Sequence, residues 1–230
     1  MIASNVIVYG DSIMKATVPD DDLRPKFNIG RFIERIKTEY SIGVINRARY
    51  GATINKGIKD LSNDLSKGIK SEHALLEYGG NDCDFDWKAV SEAPSEVHLP
   101  KTVLTQFLST LKSMVKLLRQ AGIDPVLMTL PPIDAERYLG FIVRGGLKRE
   151  NILKWLGDVQ TIYRFHELYS NAIARFADKE DLEVIDIRSR FLDKHDFKDL
   201  ISDDGIHPTI KGYELVYDSI AEYIRTRRAY

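Results

Sequence analysis

Short apolar runs alternate along the chain with longer segments in which apolar residues recur every three or four positions. The short runs have the length and the β-branched and aliphatic content of buried strands. They are Asn5–Tyr9, Ile42–Asn46, Ala74–Tyr78, Pro125–Thr129 and Leu182–Asp186. The longer segments have the spacing of amphipathic helices. They are Phe27–Tyr40, Ile54–Gly68, Lys101–Ala121, Ile162–Asp178 and Ile210–Arg227.

This alternation predicts an α/β fold in which helices cover both faces of a parallel sheet. The sequence contains no internal repeat, low-complexity linker or break in composition, so we expect one domain over residues 1–230. In open sheets of this kind, ligands bind beyond the carboxyl ends of the strands. We therefore expect the functional residues in the turns that follow strands.

Two predicted connections are longer than the usual two to six or so residues. Residues 83–100 follow the third strand and residues 133–160 follow the fourth, so both are expected to border the pocket. The second connection carries Tyr138, Phe141 and Trp155 among several arginines and lysines. These aromatic side chains predict a substrate rim for a sugar, a phosphate or an acyl chain. The alternative is an extra helix that packs on the body of the protein or on a second subunit.

Composition excludes several classes of function. The 33 basic and 34 acidic residues nearly cancel, so the chain lacks the charge of a nucleic-acid-binding protein. One cysteine cannot form a disulfide framework, and the five histidines have no metal-ligand spacing. The glycine-rich fragments do not match a phosphate-binding loop. We therefore expect no metal and no cofactor.

The distribution of apolar residues also bears on location. No apolar stretch approaches the ~20 residues of a membrane span. The first residues, Met1–Asn5, lack the basic segment of a secretory signal, and the apolar run after them is too short for a signal core. The expectation is a soluble, cytoplasmic protein. The sequence leaves open whether it forms a homo-oligomer.

The turns after the predicted strands hold residues suited to acyl transfer. The first strand ends in Gly10-Asp11-Ser12, which places a serine hydroxyl in an exposed turn. A serine hydroxyl is a weak nucleophile unless a base takes its proton, and that base needs an orienting partner. His207 and Asp204 form such a pair at the start of the last helix. Gly51 and Asn81 are suited to donate N–H groups to an oxyanion.

The order of these fragments resembles that of the SGNH (GDSL-type) hydrolases. The matching blocks are Gly-Asp-Ser at 10–12, Gly51, Gly-Gly-Asn-Asp at 79–82 and Asp-Gly-Ile-His-Pro at 204–208. The last block, followed by Lys-Gly-Tyr, is the most specific, and the four blocks together cover nearly the whole chain. The resemblance implies a three-layer α/β/α sandwich with a flavodoxin-like sheet of about five strands in the order 2-1-3-4-5.

The resemblance also implies a role for each matching residue. Ser12 is the expected nucleophile and His207 the expected general base. Asp204 is the expected orienting acid, because the family spacing is Asp-x-x-His, and the neighbouring Asp203 is expected to cap the turn. The expected oxyanion donors are Ser12, Gly51 and Asn81.

The expected activity is hydrolysis of a small-molecule carboxylic ester through an acyl-enzyme. An O-acetylated carbohydrate or a short-chain ester fits such a site, and a lysophospholipid is a further option. An acyltransferase would use the same acyl-enzyme, and the sequence does not identify the acceptor. A non-catalytic binding module on this fold would need a broken site, whereas every catalytic position is filled here.

Overall fold

The computed structural model describes residues 4–228, and the side chains of Ser4, Ile29 and Arg228 lie outside what it describes. Within this part of the chain, five strands form a central sheet and two short strands form a hairpin. The strands are β1 (Ser4–Gly10), β2 (Thr17–Pro19), β3 (Pro25–Phe27), β4 (Ile42–Asn46), β5 (His73–Glu77), β6 (Asp124–Met128) and β7 (Glu183–Ile185).

Helices connect the strands and cover both faces of the sheet. They are α1 (Ile29–Tyr40), α2 (Ile54–Ser66), α3 (Trp87–Glu92), α4 (Leu104–Gln120), α5 (Ala135–Val143), α6 (Arg149–Leu156), α7 (Gln160–Lys179), α8 (Ile187–Leu192) and α9 (Ile210–Arg228). A short 3₁₀ helix, Phe197–Leu200, precedes the last of them. Among the described residues, no helix is both long and apolar enough to cross a membrane.

All neighbouring strands of the central sheet are parallel, in the order β4-β1-β5-β6-β7. Counting only the sheet strands along the chain, this order is 2-1-3-4-5, so the predicted three-layer α/β fold and its strand order are confirmed. The strands β1 and β5 are central, which places the turns after them at the middle of the carboxyl edge.

Successive residues of β1 point to opposite faces of the sheet, and each face has its own apolar core. Ile7 and Tyr9 pack with residues of α2, α4 and α7. Val8 packs on the other face with residues of α1, α8 and α9. Because β1 is buried on both faces, its sequence is a continuous apolar run rather than an alternating one.

The two long connections are partly helical. Residues 83–100 contain α3, and residues 133–160 contain α5 and α6. Their apolar side chains form a third cluster with the start of α7, which we call the aromatic cluster. Its buried members are Phe85, Trp87, Val90, Ile133, Ala135, Tyr138, Leu139, Ile152, Leu156 and Ile162. Residues 1–3 and 229–230 of the predicted domain lie outside the described residues.

The segment before α1 differs from prediction in the type of structure it forms. Apolar spacing predicts the helix from Phe27, but Pro25–Phe27 pairs antiparallel with Thr17–Pro19, and the helix begins at Ile29. Proline has no N–H to donate to a neighbouring strand. It is tolerated in an edge strand, where the N–H of that residue would face solvent. The long β1–β4 connection therefore contains a hairpin that apolar periodicity does not reveal.

Candidate active site

Ser12 lies in the turn that follows β1, and hydrogen bonds fix that turn on both sides. The Ile13 N–H donates to Asp11 Oδ1 at 2.8 Å, which is the geometry of an Asx turn. The Asp11 N–H donates to Glu77 Oε2 at 3.3 Å, so the turn is also held to the end of β5. Ser12 is only 7% exposed, and its hydroxyl lines a cavity at the carboxyl edge of the sheet.

The turn before α9 brings His207 and Asp204 to the same place. His207 Nδ1 lies 2.6 Å from Asp204 Oδ2, and His207 Nε2 lies 2.8 Å from Ser12 Oγ. Because an ionised carboxylate only accepts, Nδ1 carries the proton and Nε2 accepts from the serine hydroxyl. The three side chains thus form one continuous hydrogen-bonded chain.

The environment keeps Asp204 ionised. Burial raises the pKa of this carboxyl, but the His207 side chain and the backbone N–H groups of Ile206 and His207 outweigh burial and hold the pKa below its usual value. Both N–H groups donate to Asp204 Oδ1 at 3.0 Å. The neighbouring Asp203 is exposed, and the hydrogen bonds of His207 go to Asp204 instead. The predicted spacing of three residues therefore identifies the carboxylate that faces His207.

Gly205 allows this turn to pack tightly against the start of α5. Its φ is +79°, and a Cβ at this position would lie 2.3 Å from Tyr138 N and 2.6 Å from Asp134 O. The Gly205 carbonyl accepts from the Asp134 N–H at 2.8 Å. Any residue with a side chain would be strained at this positive φ, and its Cβ would clash with the backbone of α5 and its N-cap. Both the backbone angle and the lack of space therefore require glycine at this position.

Each predicted oxyanion donor has an N–H group without an acceptor among the described residues, although Gly51 is not one of the residues that line the cavity. Within the described part of the chain, the N–H groups of Ser12 and Gly51 have no hydrogen-bond acceptor. Asn81 Nδ2 uses one N–H to donate to Asp11 Oδ2 at 2.8 Å and retains the other. The Gly51 turn is anchored beside the serine turn, because the Arg49 N–H donates to the Gly10 carbonyl at 3.0 Å.

The backbone angle at position 51 is one that glycine adopts without strain. Gly51 has φ of +69°, and a Cβ there would have nothing within 4 Å. A left-handed backbone conformation strains residues that carry a side chain, so the angle by itself favours glycine here.

Asp82 connects the asparagine turn to the glycine turn. Its two carboxylate oxygens both accept from the Ile54 N–H at 3.1 Å, at the amino end of α2. Burial raises the pKa of Asp82 to about 6, although its donors partly oppose this. Its backbone carbonyl accepts from the Thr102 N–H at 3.0 Å. The fourth residue of the Gly-Gly-Asn-Asp block is therefore structural and sets the position of Asn81.

The cavity beside Ser12 has a volume of about 70 Å³ and mainly apolar walls. This is room for a few water molecules or a short acyl group. The apolar and aromatic lining residues are Ile13, Phe85, Trp87, Leu130, Pro131, Ile133, Tyr138, Ile162, Phe165 and Ile206. Asp84 also lines it, but its oxygens already accept from Trp87 Nε1 at 2.7 Å and Lys101 Nζ at 2.8 Å.

His166 adds a polar group to this apolar wall. Arg188 Nη1 lies 3.4 Å from His166 Nδ1, and a guanidinium only donates, so Nδ1 is the acceptor. Burial, with a smaller effect of Arg188, lowers the pKa of His166 to about 3. The imidazole is therefore neutral at physiological pH with its proton on Nε2. His166 is one of the residues that line the cavity.

The three predicted rim residues do not share one location. Tyr138 is buried and lines the cavity. Phe141 and Trp155 are partly buried, belong to the edge of the aromatic cluster and are not among the cavity-lining residues. Phe141 stacks on Tyr138 with ring centroids 6.3 Å apart, and Trp155 contacts Phe85 at 4.8 Å. Phe141 and Trp155 therefore each contact a ring that lines the cavity, and their role as rim residues stays a prediction.

Several residues of this site carry little signal in the sequence. Two of them, Phe85 and Trp87, lie in the first long connection. Two others, Phe165 and His166, lie in α7. In a helix, apolar residues at helical spacing indicate only that one face is buried. Glu77 was also missed, although a glutamate that ends an apolar strand is a visible signal. Among residues 4–228, no group of three or more His, Cys, Asp or Glu side chains is arranged to hold a metal ion.

Known proteins resemble this chain in sequence. Residues 8–215 match the family described as GDSL-like Lipase/Acylhydrolase. An isoamyl acetate-hydrolyzing esterase from Saccharomyces cerevisiae is 25% identical over 224 residues, which cover 96% of this chain and 85% of that protein. A GDSL esterase/lipase from Arabidopsis thaliana, CPRD49, is 23% identical over 187 residues, covering 79% of this chain and 66% of that protein.

Solved structures share the fold. A lipase/acylhydrolase from Enterococcus faecalis has a TM-score of 0.67 at 19% identity, covering 97% of this chain and 96% of that chain. An acetylxylan esterase from Geobacillus stearothermophilus has a TM-score of 0.64 at 16% identity, covering 96% of this chain and 94% of that chain. The resemblance to SGNH hydrolases is confirmed over nearly the whole chain. The chain belongs to the GDSL-like lipase/acylhydrolase family and is an ester hydrolase.

Proposed function

We propose that the protein hydrolyses short-chain carboxylic esters through an acyl-enzyme on Ser12. The observation that carries this proposal is the hydrogen-bonded chain from Asp204 through His207 to Ser12, with contacts of 2.6 Å and 2.8 Å. A serine, a base and an orienting carboxylate in this order are what nucleophilic acyl transfer requires. We further propose that residues 1–230 form one hydrolase domain.

The first half of the reaction forms the acyl-enzyme. Ser12 Oγ attacks the ester carbonyl while its proton passes to His207 Nε2, and the carbonyl oxygen becomes an oxyanion. Asp204 stabilises the resulting imidazolium without taking a proton itself. When the tetrahedral intermediate collapses, the C–O bond to the alcohol breaks, and His207 returns the proton to the leaving oxygen.

The second half of the reaction releases the acid. A water molecule gives its proton to His207 Nε2 as it attacks the acyl-enzyme carbonyl. Collapse breaks the bond to Ser12 Oγ, which recovers the proton, and the free carboxylic acid leaves. In both halves, the oxyanion is stabilised by donors aimed at the position where charge develops. The proposed donors are the backbone N–H groups of Ser12 and Gly51 and the side-chain amide of Asn81.

The cavity supports a small acyl group on the substrate. Its volume of about 70 Å³ and its aromatic walls suit an acetyl or similarly short chain better than a fatty acyl chain. Two similar proteins, an isoamyl acetate-hydrolyzing esterase and an acetylxylan esterase, are named for acetate esters. We therefore propose acetate or another short-chain ester, of a small alcohol or a carbohydrate, as the substrate class.

A fluorophosphonate probe tests the nucleophile without knowledge of the substrate. We expect the probe to modify one peptide, which mass spectrometry should identify as the one carrying Ser12. A series of 4-nitrophenyl esters then tests acyl length, with kcat/KM highest for acetyl or butyryl and falling for octanoyl. Labelling at another residue would contradict the proposed mechanism, and a maximum at long chains would contradict the proposed substrate class.

A further inference from the structure

Glu77 is an acidic residue at the end of an otherwise apolar strand. The β5 strand reads His-Ala-Leu-Leu-Glu, and Glu77 is 0% exposed. Its Oε2 accepts from the Asp11 N–H at 3.3 Å, while its Oε1 has no hydrogen-bond partner among the described residues. An ionised carboxylate buried in this way, without a cation, would be strongly disfavoured. The position of Glu77 therefore favours the neutral acid.

The titratable groups around Glu77 also favour its neutral form. Burial first, and then the Asp11 carboxyl, raise the pKa of Glu77 well above its usual value. The other titratable groups that face Glu77 or Asp11 are Asp82 from the turn after β5, the adjacent Tyr78, Tyr213 from α9, and His207. Tyr213 donates its hydroxyl proton to the Thr17 carbonyl at 3.0 Å, so it does not donate to Glu77.

Burial raises the pKa of Asp11 as well, but the donors around Asp11 make it the better placed of the two carboxyls to hold the negative charge. Its Oδ1 accepts from the Ile13 N–H and its Oδ2 from Asn81 Nδ2, both at 2.8 Å. Both of its oxygens thus have donors, whereas one oxygen of Glu77 has none among the described residues. Two adjacent buried carboxyls avoid double ionisation by keeping one proton between them. The hydrogen bonds assign that proton to Glu77.

This pair lies at the turn that carries Ser12, and both residues line the cavity. Asp11 immediately precedes Ser12, its side chain closes the serine turn, and it also holds the amide of Asn81. Glu77 fixes the backbone of Asp11 through the Asp11 N–H. We propose that Glu77 is a positioning residue whose neutral carboxylic acid lets Asp11 remain anionic and hold the Asn81 amide and the Ser12 turn in place. This inference rests on the proposed function of Ser12 and Asn81.

A neutral Glu77 has a consequence for the dependence of activity on pH. The neutral form of Glu77 is the active form, so activity is lost as pH rises through its pKa. Ionisation would place a second negative charge beside Asp11, disturb the asparagine and serine turns, and oppose the formation of an oxyanion nearby. We therefore expect an alkaline fall in kcat that belongs to Glu77.

Two substitutions test this. Glu77→Leu removes the acceptor of the Asp11 N–H, and we expect kcat to fall roughly ten- to hundredfold with a small change in KM. Glu77→Gln keeps a carbonyl acceptor and is neutral at every pH, so it should recover most of the activity that leucine loses. The alkaline fall should be absent in the glutamine variant, measured with a 4-nitrophenyl ester from about pH 5 to about pH 9.

A matched control and a second readout separate the possible failures. Glu183→Gln makes the same exchange at an exposed position of β7 and should keep the wild-type pH profile. The rate at which a fluorophosphonate labels Ser12 is measured in parallel for each variant. If the wild type is not labelled and hydrolyses no ester, the proposed function fails and this inference fails with it.

Other outcomes bear on Glu77 alone. If the wild type is labelled but Glu77→Gln keeps the alkaline fall, Glu77 does not cause it and the inference is wrong. The inference is also wrong if Glu77→Gln folds with an unchanged thermal midpoint but is as inactive as the leucine variant, because a negative charge would then be needed. Full activity in Glu77→Leu would show that Glu77 positions nothing.

Discussion

The cavity has two walls of different physical character. The catalytic wall consists of turns that follow strands or precede α9, and its side chains are Ser12, Asn81 and His207. Hydrogen bonds of 2.6–2.8 Å connect these residues to Asp204 and Asp11. The aromatic wall comes from the connections between strands and from α7, and ring contacts with centroids 4.8–6.3 Å apart hold it together.

The two walls are expected to differ in how well they tolerate amino-acid substitutions. A hydrogen bond weakens steeply with distance and angle, so the catalytic wall requires particular residue types at fixed spacing. Apolar packing has no such directionality, and many combinations of side chains fill the same volume. The catalytic wall is therefore expected to determine kcat, whereas the aromatic wall determines which acyl group binds.

The largest expected effect is that of Ser12→Ala on the catalytic wall. Without Oγ there is no acyl-enzyme, and kcat should fall by roughly 10⁶, the magnitude known for loss of the serine in another serine hydrolase. Fluorophosphonate labelling should disappear while the thermal midpoint stays within a few degrees of the wild type, because the exchange removes one hydroxyl from a turn. An alanine variant with substantial activity on a 4-nitrophenyl ester would contradict the assignment of the nucleophile.

The next effect distinguishes two adjacent carboxylates. Asp204→Asn should lower kcat steeply, since the amide can favour the wrong tautomer of His207; in a serine protease the same exchange lowers kcat by about 10⁴. His207 is 3% exposed, so water cannot readily replace the lost partner. Asp203→Asn is the matched control, and its exposed side chain should leave kcat unchanged within about twofold. The assignment is reversed if the control proves the more damaging variant on the same chromogenic ester.

A smaller effect is expected from the oxyanion donor. Asn81→Ala should lower kcat by roughly 10²–10³ with little change in KM, because the amide is aimed at charge that develops only in the transition state. The exchange also removes the donor to Asp11 Oδ2. Steady-state kinetics with 4-nitrophenyl acetate measures both parameters. A rise in KM alone would mean that Asn81 binds the substrate without stabilising the oxyanion.

The catalytic wall is also the more predictable of the two from the sequence. Ser12, Asn81 and His207 are assigned from short blocks whose residue types and order are specific, and the structure brings these side chains to one cavity. Periodicity predicts the strands to within one or two residues at most ends. The strand order comes from the family resemblance, because periodicity says nothing about which strands are neighbours.

The aromatic wall is less predictable because its helices are short. The helices α3, α5 and α6 have six, nine and eight residues, too few for apolar periodicity to stand out. A local signal is nevertheless present: Asp86 and Asp134 cap α3 and α5 by accepting from backbone N–H groups. Sequence cannot tell Tyr138 from Phe141, because both are aromatic residues on α5 and only packing decides which one meets the cavity.

The smallest expected effect tests the aromatic wall by comparing these two residues. Tyr138 lines the cavity, whereas Phe141 stacks behind it, so Tyr138→Leu should enlarge the site and Phe141→Leu should not. The loss of the Tyr138 hydroxyl matters little to Trp87 Nε1, which still donates to Asp84 Oδ1 at 2.7 Å. In Tyr138→Leu, we expect kcat/KM for the hexanoyl ester relative to the acetyl ester to rise roughly three- to tenfold, the scale of a methylene or two in an apolar pocket. The change should come mainly from KM, with fluorophosphonate labelling of Ser12 retained. If Phe141→Leu shifts this ratio as much as Tyr138→Leu does, the acyl group also contacts Phe141. The aromatic wall would then not end at Tyr138, as the packing of these two rings indicates.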